Sequence, residues 1–292
     1  MYKEVAFDPQ CLADIEYYNL VKQHFGFEKG RYISADIKAW ASEAMKYVKE
    51  SSLKPIRKQS VKNFLNSLWR SKKSDAFLLA PDRQGVNAAC WNDWRNRQEA
   101  IRQFSCVVTE SIGNRHICID HINEGCDLWS IPQSDFVLRT PPNIVNAFFP
   151  LIILSRELIL VDQYFMLASN PVLIELFNAI GRTPIRRLTV VTSMDTSKIG
   201  YTYDTEYRSL NLGPVRFGFK WIKAPDKFFH ERYVISETGA MRFGQGFKAD
   251  VQKGVHADRV YFNIISNEEA ATTISDLDRA LASKLAVVEL DI

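Results

Sequence analysis

The stretch Phe229-His230-Glu231-Arg232-Tyr233-Val234-Ile235-Ser236-Glu237, followed by Gly244-Gln245-Gly246-Phe247, decides how this chain is read. It places a histidine, a cation, a carboxylate and a small-residue turn on what reads as two neighbouring strands. His230 and Arg232 are two apart, so on a strand they share a face. Glu237 then closes that strand, and Gly244 and Gly246 leave room on the returning strand for a ligand to approach the backbone. An imidazole serves as nucleophile or general acid/base near neutral pH. A guanidinium grips phosphate oxygens in pairs, and a carboxylate orients a histidine tautomer. The combination predicts a site that holds a phosphate and attacks it.

The rest of the chain bounds that reading. With 292 residues, 46% hydrophobic and 24% charged, it can build one large domain or two ordinary ones. A net charge of +3 does not diagnose nucleic-acid binding and does not oppose an anionic partner. Five cysteines in a chain this long argue against a disulfide framework, so a reducing, cytoplasmic setting is expected. The first residues, MYKEVAFDPQ, do not read as a signal peptide. The longest apolar run, near 147–160, is broken by Ser155, Arg156 and Glu157 and is too short to span a bilayer.

Two domains are expected, 1–130 and 131–292. The first reads as helix-rich and irregular. Ile37, Trp40, Ala41, Ala44, Met45 and Val48 recur at helical spacing over 35–50, and a second helix follows over 60–70, with Pro55 between them. Residues 77–80 and 106–109 suit short strands with a helix over 91–104 between them, and 116–122 alternates like a third strand. Pro141-Pro142 marks a linker or domain start. Beyond it, helices at 144–155 and 171–180 alternate with strands at 158–161 and 187–192. A polar loop over 193–213 follows, then strands at 215–222, 232–236, 241–243 and 259–265, a helix at 268–285 and a last strand at 286–290. That order predicts an α/β sandwich with a mixed sheet.

The spacing of the opening stretch resembles the phospholipase D-like superfamily, whose motif reads His-x-Lys, four residues, Asp, six residues, Gly-Ser-x-Asn. This chain has His230-x-Arg232, four residues, Glu237, six residues, Gly244-Gln245-Gly246-Phe247. Asp258, eleven residues on and directly before a strand, matches a further carboxylate of the single-motif nucleases. A strand running into Asp162-Gln163-Tyr164-Phe165 is similar to the superfamily's Asp-Pro-Tyr turn. The resemblance covers roughly 131 to the end. It implies a phospholipase D-like α/β/α sandwich and a metal-independent phosphodiesterase, most simply a nuclease, without cofactor. His230 would form a phosphohistidine, with Arg232, Glu237 and Asp258 as its catalytic companions and Arg232, Gly244 and Gln245 binding phosphate. A second histidine comes from a homodimer in the single-motif members. Arg232, Glu237, Gln245 and Phe247 depart from the motif, and the last two remove phosphate hydrogen bonds. His-x-Arg with Gly-x-Gly also looks like the C-terminal domain of MIT-domain proteins, which implies an alternative: a non-catalytic module binding nucleic acid, a phospholipid headgroup or a protein partner.

Two further signals stand outside the motif. Arg57, Lys58, Lys62, Arg70, Lys72 and Lys73, with Lys54, form a basic stretch without an acidic residue, and Trp69, Trp91 and Trp94 supply aromatic rings; together they suit nucleic acid. A solvated helix face with core tryptophans is the competing reading. His116, Cys118, His121 and Cys126 are ligand types at short spacing, yet without a Cys-x-x-Cys pair they read as buried thiols and surface imidazoles, and no metal site is assigned. The expectation is a nuclease of this superfamily with a basic N-terminal domain, acting alone or in a larger assembly. The architecture suits a bacterial defence or mobile-element setting.

Overall fold

A computed structural model describes the chain except for residues 182, 212–215, 248 and 250–257. Two compact units emerge, Tyr2–Ile131 and Pro132–Ile292.

The first unit is helix-rich and holds short strands at the three expected places, 77–80, 106–109 and 116–122, but a parallel five-stranded sheet organises it, which corrects the expectation of an irregular domain. Its strands are β1 (Lys3–Phe7), β2 (Arg31–Ser34), β3 (Phe77–Leu78), β4 (Cys106–Val108) and β5 (His116–Ile117). Its helices are α1 (Ile15–His24), α2 (Ile37–Glu50), α3 (Pro55–Ser71), α4 (Trp91–Ile101) and α5 (Ile119–Asn123). The sheet runs β3-β2-β1-β4-β5, all parallel. The order reverses between β1 and β4, as in doubly wound sheets.

The two central strands escaped the sequence because each carries a buried charge. In β1, Glu4 is 3% exposed and receives Nε and Nη2 of Arg83 at 2.7 and 2.9 Å. Arg83 is fully buried, stacks on the Phe104 ring at 4.1 Å and donates to the carbonyls of Gln98 and Arg102. In β2, Arg31 lies on the Trp129 ring and donates twice to the Trp129 carbonyl. A charge inside an apolar run is legible only with its partner. The 116–122 strand is shorter than expected, since α5 begins at Ile119.

The second unit contains β6 (Asp135–Leu138), α6 (Pro141–Leu154), β7 (Glu157–Val161), α7 (Pro171–Ile180), β8 (Arg187–Thr192), α8 (Ile199–Glu206), β9 (Gly218–Lys223), β10 (Arg232–Ser236), β11 (Gly239–Phe243), β12 (Arg259–Ile264), α9 (Asn267–Ala282) and β13 (Val287–Asp291). The sheet is mixed, in the order β13-β9-β8-β7-β10-β11-β12-β6. Pro141-Pro142 opens α6 rather than linking domains, because proline's missing N–H costs nothing in a first helical turn. The polar loop expected over 193–213 contains α8, and β6 was not foreseen.

Neighbouring residues of β11 show what covers each face. Phe243 meets Phe148 of α6 at 5.9 Å, and Arg242 meets Glu269 of α9 at 3.4 Å. On the α6 and α7 face, Phe177 packs against Phe219 of β9. Because β7, β8 and β9 are parallel and β10 and β12 run against them, one sheet edge collects the ends of β6, β7, β8, β9 and β11 and the starts of β10 and β12. Ligands of α/β sheets gather at such carboxyl edges. No described helix is long and apolar enough to cross a membrane.

The Glu4–Arg83 pair generates a stability prediction. Arg83→Met removes two of the three guanidinium hydrogen bonds to the buried Glu4 carboxylate and leaves only that of Arg102, so urea unfolding should report a loss of about 3 kcal/mol, the low end for a broken buried pair, whereas an exposed control such as Arg97→Met should change stability by less than about 0.5 kcal/mol.

Candidate functional site

The collecting edge is organised by Asp162, the residue that follows β7. Its side chain is 3% exposed. Oδ1 accepts the Tyr164 backbone N–H at 3.0 Å and Oδ2 accepts that of Phe247 at 2.9 Å. Nε of Arg232 stands 3.9 Å from Oδ1. Burial pushes the Asp162 carboxyl above its ordinary 3.8, against the two backbone donors and Arg232, which pull it down.

This carboxylate explains the Gly-x-Gly turn. Gly246 has φ +71°, and a Cβ there would collide with Oδ2 of Asp162. The space over Gly246 therefore belongs to the protein's own carboxylate, not to a ligand as the sequence suggested. Gly244 meets only ordinary contact, with the Tyr261 carbonyl, which also accepts its N–H. Phe247, at the motif's asparagine position, is fully buried and packs against Phe148, Phe165 and Phe243.

The expected site residues separate into two groups. Arg232, Gly244, Gln245 and Asp258 lie at the edge with His230. Asp258 is exposed at the start of β12, and its carbonyl accepts the Arg139 N–H. Glu237 is elsewhere: it turns the β10–β11 hairpin and accepts the backbone N–H groups of Arg156 and Glu157. Five strand residues carry it roughly 16 Å from Arg232, so it does not orient His230.

The shared strand face of His230 and Arg232 is also corrected. The ladder between β10 and β7 begins at Tyr233, so His230 precedes the strand. Its imidazole is exposed and lines an open groove of about 480 Å³ with Phe228, Phe229 and Tyr233 and with Glu268, Glu269 and Asp276 of α9. Arg232 is half-buried, its Nη1 donates to the His230 carbonyl at 3.2 Å, and its guanidinium lies 5.6 Å from the Tyr164 ring centre. The link between the two residues runs through backbone.

Arg139 was missed. It follows β6, and its Nη2 donates to Oε1 of Gln245. Nothing in the local sequence marks it, since a lone arginine before Thr140-Pro141 carries no periodic signal. Nε of Arg139 and Nε of Arg232 are both buried without a hydrogen-bond partner among the described residues. Contacts run unbroken from Arg139 through Gln245 and Gly246 to Asp162 and Arg232.

In the first unit, the basic residues divide by use. Nζ of Lys58 donates to the carbonyls of Ser51 and Lys49 and so finishes α2, and Lys62 is half-buried. Arg57, Arg70, Lys72 and Lys73 are exposed. Trp69 is 45% exposed with Nζ of Lys38 over its ring, while Trp91 and Trp94 are core. Nδ1 of His116 pairs with the Ser111 carbonyl, and Nδ1 of His121 sits 3.4 Å from Sγ of Cys118; among the described residues no group of three or more His, Cys, Asp or Glu side chains is arranged to hold a metal ion.

No family model matches this sequence, and no curated protein matches it either. Among solved structures, TrmBL2, an archaeal chromatin protein described as showing a novel mode of DNA binding, aligns over 94% of this chain and 92% of its own at 8% identity, with a TM-score of 0.31. A likeness that remote does not establish a common fold.

Two outcomes follow from Asp162. Gly246→Ala should destabilise the second unit by about 1–3 kcal/mol from backbone strain alone, before the clash is counted, as read by thermal or urea unfolding. The raised carboxyl favours the folded state when protonated, so its contribution is fullest below the ordinary value and fades as pH rises through the raised one. Asp162→Asn cannot ionise, so its stability relative to the native chain should improve as pH rises above the ordinary 3.8 and through the raised value; a pH-independent difference would contradict the burial argument.

Proposed function

We propose that the second unit binds a phosphodiester at the edge formed by Arg232, Arg139 and Gln245, as a phospholipase D-like module. The observation that carries this reading is the pair of half-buried guanidinium groups whose Nε atoms make no hydrogen bond among the described residues, that of Arg232 standing 3.9 Å from Asp162, with Gln245 bound to Arg139. Buried donors without acceptors are costly, and a phosphate offers acceptors in the geometry a guanidinium fork prefers. The phosphodiester belongs to a nucleic-acid backbone or a lipid headgroup, and exposed Arg57, Arg70, Lys72 and Lys73 give the first unit a nucleic-acid-attracting face.

A second reading adds turnover. Arg232 holds the His230 backbone carbonyl, which ties the residue to the cation. In that reading His230 attacks phosphorus, the leaving oxygen takes a proton from a second histidine, and water then cleaves the P–N bond. The partner histidine is His230 of a second copy across a two-fold axis. Binding has the stronger support. Glu237 is committed to the far hairpin and Phe247 to the core.

An abasic oligonucleotide, a phosphodiester chain without bases, tests binding directly. Fluorescence anisotropy should show a dissociation constant at least about tenfold weaker for Arg232→Ala, the lower range for hydrogen bonds to a charged group, and a clear weakening for Arg139→Ala. Native binding by both variants would refute the site. Turnover predicts acid-labile, alkali-stable phosphate on the native chain, insensitive to EDTA and absent in His230→Ala; binding alone predicts none.

A further inference from the structure

The segment after β7 turns at 163–164 and again at 168–169, and between those turns the burial of its residues alternates. Phe165 and Leu167 point inward and are 2% and 0% exposed. Tyr164 and Met166 point outward at 53% and 49%, and Ala168 is exposed beside them. A solvent-facing row of tyrosine, methionine and alanine is not what an ordinary connecting loop presents.

The row is held rigidly. Oγ1 of Thr192 donates to the Phe165 carbonyl at 2.8 Å, and the Tyr207 hydroxyl donates to the Leu167 carbonyl at 2.5 Å. Nδ2 of Asn170 donates to the Met166 carbonyl while its Oδ1 caps α7. The Ser169 N–H is tied to Glu206 of α8. These bonds fix a concave site of about 260 Å³ in which Tyr164, Met166, Ala168 and Ala249 supply apolar wall and Ser169 and Asn170 a polar rim. It is slightly smaller than the pockets of drug-sized ligands, roughly 300–1,000 Å³, and suits one flat heterocycle. A tyrosine ring and a thioether are both good stacking surfaces for such a ring.

The position matters as much as the shape. Tyr164 is shared: the Arg232 guanidinium lies 5.6 Å from its ring centre, and the ring also lines the pocket. A ligand whose phosphate sits on Arg232 therefore places its next chemical group against Tyr164. In a nucleic acid that group is a sugar carrying a base. A duplex keeps its bases stacked and paired, so only an unpaired strand has a base to offer. A lipid headgroup has no flat ring to fill the site.

We infer that the Tyr164–Met166 pocket takes a nucleobase next to the phosphate held by Arg232, so that the ligand of this edge is single-stranded nucleic acid. The inference rests on the phosphodiester reading above, and it adds the class of chain and a second subsite.

Fluorescence anisotropy on the full chain separates the two. The probes are a short single-stranded oligonucleotide, its abasic counterpart, a duplex, and phosphatidylcholine vesicles containing phosphatidic acid. The native chain should prefer the strand with bases over the abasic strand by about five- to hundredfold, the range for one base on an aromatic platform. Tyr164→Ala and Met166→Ser should each remove most of that preference, and Met166→Ser, which does not touch Arg232, should leave abasic binding unchanged. Met166→Ser lies at an exposed position, where truncation costs little packing, and guards against misfolding of Tyr164→Ala. Arg232→Ala should weaken both strands. If Tyr164→Ala and Met166→Ser retain the native preference, or duplex or vesicles bind more tightly than the single strand, the base pocket is wrong and the phosphate site stands. If Arg232→Ala binds the abasic strand as the native chain does, the phosphate reading itself falls.

Discussion

Much of the second unit's edge depends on one buried carboxylate. Asp162 takes hydrogen bonds from two backbone N–H groups, one local at Tyr164 and one distant at Phe247. The distant bond brings the turn after β11 across the start of β10. That turn needs a glycine at 246, because no Cβ fits beside the carboxylate. It also sends Phe247 into the aromatic core. The remaining charge of Asp162 faces Arg232. One desolvated group thus sets a loop path, a residue identity and the place of a cation.

The first unit follows similar logic. Glu4 and Arg83 form a pair inside the sheet, and Arg83 spends its other donors on the carbonyls of Gln98 and Arg102. Such a pair is worth little against an apolar replacement of equal shape, but it is costly to break halfway. It ties β1 to the end of α4, elements far apart in sequence.

Most of the second unit was legible residue by residue. β8 and α7 lie where alternation and helical spacing put them, and β10 spans 232–236, because apolar periodicity is a local property. β1, β2 and β6 were not legible. Glu4 interrupts β1, Arg31 opens a β2 of only four residues, and β6 is mostly exposed at the sheet's margin, so it carries no apolar face. The candidate site was half legible. Counting from His230 found Arg232, Gly244 and Gln245, but it could not say that Glu237 serves the opposite hairpin or that Arg139 reaches Gln245.

The amino-acid order specified the two strands within 229–247, the histidine two residues before a cation, and the glycines of the following turn. It determined these because each follows from neighbours a few residues away. Folding settled which group stands over Gly246, where His230 sits, and which two arginines share the edge. Those choices are made between residues about a hundred positions apart, where burial forces each charge and each backbone donor to find a partner. A chain can be counted along its length, but such partners become visible only when it is folded.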